Sequence, residues 1–175
     1  MTDHNAERVR GERYADLCDF LNHEAELLSA PDYAGWRELL APDVRYVIET
    51  PYYHPPGKPR EYGMGAPYFD EDYDSLNIRI EQQTKPGFTR AETPRGVLRL
   101  MVSNIRAFAT AEPDLYAVRS HFLLFRVRFT DPHPFIITGS RDDRLRIGDD
   151  GYRLVSRHAM LDEVTLQTPN FSFFV

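Results

Sequence analysis

Cysteine is almost missing from this chain: Cys18 is the only one in 175 residues. A lone thiol excludes an internal disulfide and suits a reducing compartment, so the cytoplasm is the expected location. It also removes chemistry, because a Rieske or ferredoxin cluster needs more than one cysteine from a chain, as does a cysteine-rich zinc site. Long apolar runs are lacking too. Nothing approaches the roughly 18 consecutive apolar residues of a membrane helix, and the opening MTDHNAERVRGER has no apolar segment of the signal-peptide kind. Positive charge is not in excess: the net charge is -6 and the pI about 5.5, with arginines and carboxylates interspersed. A nucleic-acid partner is therefore not expected. The HExxH, GxGxxG, GxxxxGK and GxSxG patterns do not occur, and neither do internal repeats. What is present is a chain 42% hydrophobic and 13% aromatic, enough at this length for one core and one domain spanning residues 1–175.

The first half reads as helix. From Glu7 to Ser29, the residues Tyr14, Leu17, Cys18, Leu21, Ala25 and Leu28 recur at helical spacing, with Phe20 and Leu27 widening the stripe. Trp36, Phe20, Leu28 and Tyr33 are assigned to the core, and Cys18 is read as a small buried hydrophobe on the same stripe. Pro31 suits the first turn of a second helix carrying Tyr33, Trp36 and Leu40. Val44 to Thr50 alternates as a strand. Residues 51–67 hold five prolines and three glycines and form a loop long enough to suggest contacts, while residues 1–6 read as a flexible N-terminus. Tyr68 to Thr84 returns to helical spacing, with Asp70, Glu71 and Asp72 in the first turn, where the helix dipole favours negative charge.

The second half reads as four long strands, Arg95–Ala109, Leu115–Phe129, Phe135–Ile147 and Tyr152–Leu166, joined by short turns and therefore paired antiparallel. Helices followed by a curved antiparallel sheet make an α+β layer arrangement. Phe122 to Phe125 is apolar on both faces, so part of the sheet's outer face calls for cover by another protein surface.

The last hairpin, Gly139 to Glu163, carries eleven charged residues and a histidine around a Gly148–Gly151 turn. With Ile147 opposite Tyr152, Asp142 is expected to face Arg157, Asp143 to face Ser156, and Arg141 to face His158. Three readings fit: a solvated face of weak ion pairs, a catalytic pair of His158 or His121 with Asp142 or Asp143, and a surface covered by another chain. Arginine's planar fork favours the third.

Several ordered segments then resemble one family. They are Phe20–Leu28 with Tyr33 and Trp36; Tyr68–Asp72 with Leu76 and Arg79; Ala91–Arg95; Val102–Ile105; Gly139–Asp143 with Leu145 and Arg146; and Arg157, Leu161, Asp162 and Asn170–Ser172. In this order and spacing the chain resembles the small (β) subunit of aromatic-ring-hydroxylating Rieske dioxygenases, nearly end to end. The resemblance implies a cone of helices on a strongly curved sheet, as in ketosteroid isomerase, scytalone dehydratase and nuclear transport factor. It implies a hexamer of three large and three small subunits within an NAD(P)H-dependent oxidising system. It also implies that the Rieske 2Fe–2S cluster, the mononuclear iron and the aromatic substrate belong to the large α subunit, leaving no catalytic, cofactor or metal residue in this chain. On that basis Arg141, Asp142, Arg144, Arg157 and Glu92 are the expected assembly contacts, with loop 51–67 next. The stretch 88–97 lacks the family's usual Trp and Pro-Ser-Arg run, so the resemblance does not name the aromatic compound. The runner-up is a free-standing isomerase or dehydratase of the same cone fold, built on His121 or His158 with an aspartate.

Overall fold

The computed structural model describes residues 7–51, 67–85, 96–128, 133–163 and 173–175. Three helices pack on one six-stranded sheet. Helix α1 (Gly11–Ser29) buries Leu17, Phe20, Leu21, Ala25 and Leu28 along the expected stripe. Glu24 lies in the middle of that stripe and is equally buried. Cys18 is only half-buried, so the stripe's edge passes closer to it than its spacing suggested. Helix α2 (Tyr33–Glu38) starts at Asp32, whose carboxylate accepts from the Gly35 amide at 3.0 Å and satisfies one unpaired N–H of the first turn. Tyr33 and Trp36 point into the core as expected.

Strand β1 (Leu40–Glu49) leads to β2 (Phe69–Asp72) and helix α3 (Tyr73–Thr84). Here the structure corrects the sequence reading, because Phe69–Asp72 is not a helical turn. It pairs antiparallel with β1, where Arg45 forks onto Asp70 at 2.9 Å through both nitrogens. Glu71 takes Arg79, and only Asp72 serves the helix, closing a reciprocal capping box with Ser75. Opposite charge on the neighbouring strand thus outcompetes the helix dipole for two of the three acids.

Strands β3 (Val97–Ala109), β4 (Leu115–Val127), β5 (Phe135–Gly148) and β6 (Gly151–Leu161) follow as antiparallel neighbours, and the sheet order is β2-β1-β6-β5-β4-β3. The sheet is mixed rather than wholly antiparallel, because β1 joins β6 in parallel. Gly139 permits the tight middle of β5: a Cβ there would collide with the Met160 carbonyl and lie 2.8 Å from the Phe122 ring. The inner face, with Leu100, Phe122, Leu124, Ile137, Leu145, Leu154 and Ala159, closes on α1 and α2 to form the core.

The β5–β6 register departs from expectation at one point. Ile147 does face Tyr152, and Leu145 faces Leu154, but a bulge then admits Val155 as an extra residue. Beyond it Arg144 faces Ser156, Asp143 faces Arg157, Asp142 faces His158, and Arg141 faces Ala159.

Candidate functional site

Alternation along the hairpin divides its charges between two environments. Arg141, Asp143 and Arg157 point inward and are buried, whereas Asp142 and Arg144 point outward and are exposed. The assembly role expected of Arg141 and Arg157 is therefore corrected: both guanidinium groups lie at zero side-chain exposure inside the cone, out of reach of a neighbouring chain. Glu92 and residues 52–66 of the proline-rich loop fall outside the described residues, as do residues 1–6.

The interior cluster is built from four elements. Arg157 on β6 donates from Nε and Nη2 to the two oxygens of Asp143 on β5, both at 2.8 Å. Its Nη1 and Nη2 donate to the two oxygens of Glu24 on α1 at 2.8 and 2.7 Å. Glu24 also accepts from the Trp36 indole N–H at 3.0 Å and from Arg141 Nη1 at 3.3 Å. Arg141 Nε reaches Ser120 at 3.3 Å, and its Nη2 has no hydrogen-bond partner among the described residues. Two arginines against two carboxylates leave the cluster neutral. Neutrality is what allows burial, since a lone ion here would carry a desolvation penalty of several kcal/mol.

Burial pushes the Glu24 carboxyl up, but the charges of Arg157 and Arg141 and the bonds from Arg157 and Trp36 outweigh it, and the group ends below its ordinary value. Burial likewise pulls Arg157 down, and Asp143 and Glu24 more than restore it. For Arg141 the balance tips the other way: burial and the adjacent Arg157 charge hold it below the ordinary arginine value despite Asp143 and Glu24. Burial raises Tyr46 on β1 to about 12, keeping it a neutral phenol.

Above this cluster sit the last three residues. The Val175 carbonyl accepts from the Tyr46 hydroxyl at 2.6 Å and from Arg157 Nη1 at 2.9 Å. Phe174 lies against Trp36, with ring centroids 4.4 Å apart, and meets Tyr33 and Tyr46 edge-on.

The outer face is different in kind. Asp142 pairs with Arg119 at 3.0 Å, both largely exposed, and Arg144 stands beside them without an ion pair among the described residues. Together with Arg106, Phe108, Ala117 and His158 they line an open groove of about 1150 Å³. At the other end of β3–β5, Val97, Met101 and Ile136 are exposed at 45, 53 and 46%, with Leu123, Phe125 and Val127 half-buried between them. The strand registers Met101–Leu123 and Phe125–Ile136 make this one patch, as the two-faced apolar run of β4 suggested.

Both histidines of the alternative reading are on this outer face. His121 contacts Asn104 at 3.0 Å, and His158 contacts Glu49 at 3.1 Å. Neither is joined to Asp143, which faces the interior, and the carboxylate partner of His158 is Glu49 rather than Asp142. Among the described residues no group of three His, Cys, Asp or Glu side chains gathers as metal ligands would.

The residue the sequence reading missed is Glu24. Its signal was visible: a carboxylate seven residues after Leu17 and four before Leu28 breaks an otherwise apolar stripe. Such a group must find buried cations, and the hairpin offers two arginines.

Comparison with known proteins agrees with this geometry. The family described as "Ring hydroxylating beta subunit" matches residues 23–168. A chain of naphthalene 1,2-dioxygenase, solved with indole in its active site, superimposes with a TM-score of 0.85 at 21% identity, covering 100% of this chain and 95% of that one. The β subunit of benzoate 1,2-dioxygenase from Burkholderia mallei gives a TM-score of 0.66 at 16% identity, covering 88% and 93%. An NTF2-like protein of cystatin-like fold from Novosphingobium aromaticivorans gives 0.57 at 16%, covering 86% and 82%, which places the cone fold.

Proposed function

Because the chain belongs to the ring-hydroxylating β-subunit family, we propose that it serves as the small subunit of an aromatic-ring-hydroxylating dioxygenase and contributes by assembly rather than by chemistry of its own. It acts as one domain in the cytoplasm, in a hexamer of three large and three small subunits. The large subunit carries the Rieske cluster, the mononuclear iron and the aromatic substrate, supplied with electrons from NAD(P)H.

The observation that carries the assembly reading is the apolar patch of Val97, Met101 and Ile136, bordered on the same outer face by the groove holding Arg119, Asp142 and Arg144. Exposed apolar area rimmed by charge is the ordinary composition of a protein interface, with the apolar centre supplying affinity and the rim orientation. Asp142, Arg144 and, outside the described residues, Glu92 and loop 51–67 remain the proposed polar contacts.

Co-expression with a cluster-bearing large subunit tests the proposal. The two chains should co-purify at a fixed ratio. Met101→Asp or Ile136→Asp should reduce the assembled fraction while leaving the thermal midpoint of the free chain in place. The assembly reading fails if the chain alone binds iron and dihydroxylates an arene, or if both aspartate variants assemble normally.

A further inference from the structure

We infer that the interior of the cone is a binding site for an aromatic ligand bearing a carbonyl or carboxylate oxygen, and that in this chain Phe174 and Val175 occupy it themselves. The occupancy has the form of a ligand complex. The Phe174 ring is boxed by Trp36 at 4.4 Å and 31°, Tyr33 at 5.5 Å and Tyr46 at 6.3 Å. One residue on, the Val175 carbonyl oxygen is held by a phenol and a guanidinium, Tyr46 at 2.6 Å and Arg157 at 2.9 Å, and the Val175 amide donates to Tyr46 at 2.9 Å. The tripeptide is part of neither a helix nor a strand, and side chains grip its backbone. A flat ring flanked by aromatic faces, with an acceptor oxygen on an arginine and a tyrosine, is the recognition set that an aryl acid or aryl ketone requires.

A second observation points the same way. Arg141 is fully buried and shares Glu24 with Arg157, yet its Nη2 is bare of partners among the described residues. The cluster thus keeps capacity for one more acceptor, and a carboxylate brings two oxygens where a peptide carbonyl brings one. Ion pairing alone does not account for so polar an interior, since apolar residues of similar volume often serve stability as well or better.

Trp36 is the only tryptophan in the chain, lies at zero exposure, and touches both Phe174 and Glu24, so its emission reports this site alone. The experiment compares the full chain with a variant lacking residues 173–175, titrating each with 3-phenylpropionate and, as a control lacking the oxygens, propylbenzene. The truncated chain should show a saturable change in Trp36 emission and a rise in thermal midpoint, because a ligand that binds only the folded state stabilises it. The full chain should need at least about tenfold more 3-phenylpropionate, since its own tail competes for the site. Tyr46→Phe in the truncated background should weaken binding about tenfold, as loss of one hydrogen bond to a charged ligand does. No saturable response in a folded truncated chain, equal affinity with and without the tail, or equal response to propylbenzene would overturn the proposal. Should the truncation prevent folding, full-length Phe174→Ala carries the same titration, and its failure to respond is equally decisive.

Discussion

Two faces of one hairpin carry nearly the same side chains and do opposite things. Inward, Arg141, Asp143 and Arg157 are sealed with Glu24 at zero side-chain exposure; outward, Asp142 and Arg119 pair at 65 and 46% exposure. The ion-pair distances are alike, 2.8 Å inside and 3.0 Å outside. What separates them is water. Outside, solvent replaces a lost partner at once, so a pair contributes little. Inside, nothing replaces it, and every member depends on the others remaining charged. Sequence composition is blind to this difference, because it is set by the parity of each residue along its strand.

The largest expected effect tests that contrast directly. Arg157→Ala strands Glu24 and Asp143 as buried anions and should lower stability by about 3–5 kcal/mol, measured by urea unfolding of the free chain. Next comes Glu24→Gln, which keeps the shape and an acceptor for Trp36 but removes the charge; a loss of about 1.5–3 kcal/mol is expected on the same assay. Acid should find the interior as well. The Glu24 carboxyl ionises more readily when folded than when unfolded, so its contribution is complete above the ordinary value of 4.5 and declines as the pH falls below it. The acid limb of a stability–pH curve should therefore flatten in Glu24→Gln. At the alkaline end Tyr46 behaves conversely: its folded value of about 12 exceeds the ordinary 10.0, so stability it contributes below pH 10 is lost between those values, and Tyr46→Phe should remove that limb. The smallest effect belongs to Asp142→Ala, under about 1 kcal/mol in the free chain, with any larger consequence confined to the assembled complex. If Arg157→Ala and Asp142→Ala cost the same, the contrast between the faces is wrong.

Most of the fold was legible because periodic segments announce themselves. Helix α1 and strands β3 to β6 follow from recurrences of 3.6 and two residues, and the core placement of Trp36, Tyr33, Phe20 and Leu28 follows with them. Strand β2 was not legible: Phe69-Asp70-Glu71-Asp72 has no strand propensity of its own and exists because Arg45 and Arg79 receive its acids. Nor could the parallel β1–β6 contact be read, since it joins residues more than a hundred positions apart. At the site, the hairpin turn and its charges were plain, and the adjacent pair Leu154-Val155 was noticed. Its meaning as a bulge was not, and that single residue moved Arg157 from opposite Asp142 to opposite Asp143. The run Phe173-Phe174-Val175 carries no period at all, so its place beneath Trp36 was invisible before the fold was known.

Val155 also governs which insertions and deletions this protein tolerates. Excising it would straighten the ladder and turn Ser156 through Leu161 over, sending Arg157 to solvent and His158 into the cone. Shortening by a pair of residues would spare that inversion. Length variation among descendants of this hairpin should therefore come in even steps on the distal side of the kink and be unconstrained only in the turn at Asp149-Asp150, where no side chain is committed to either face.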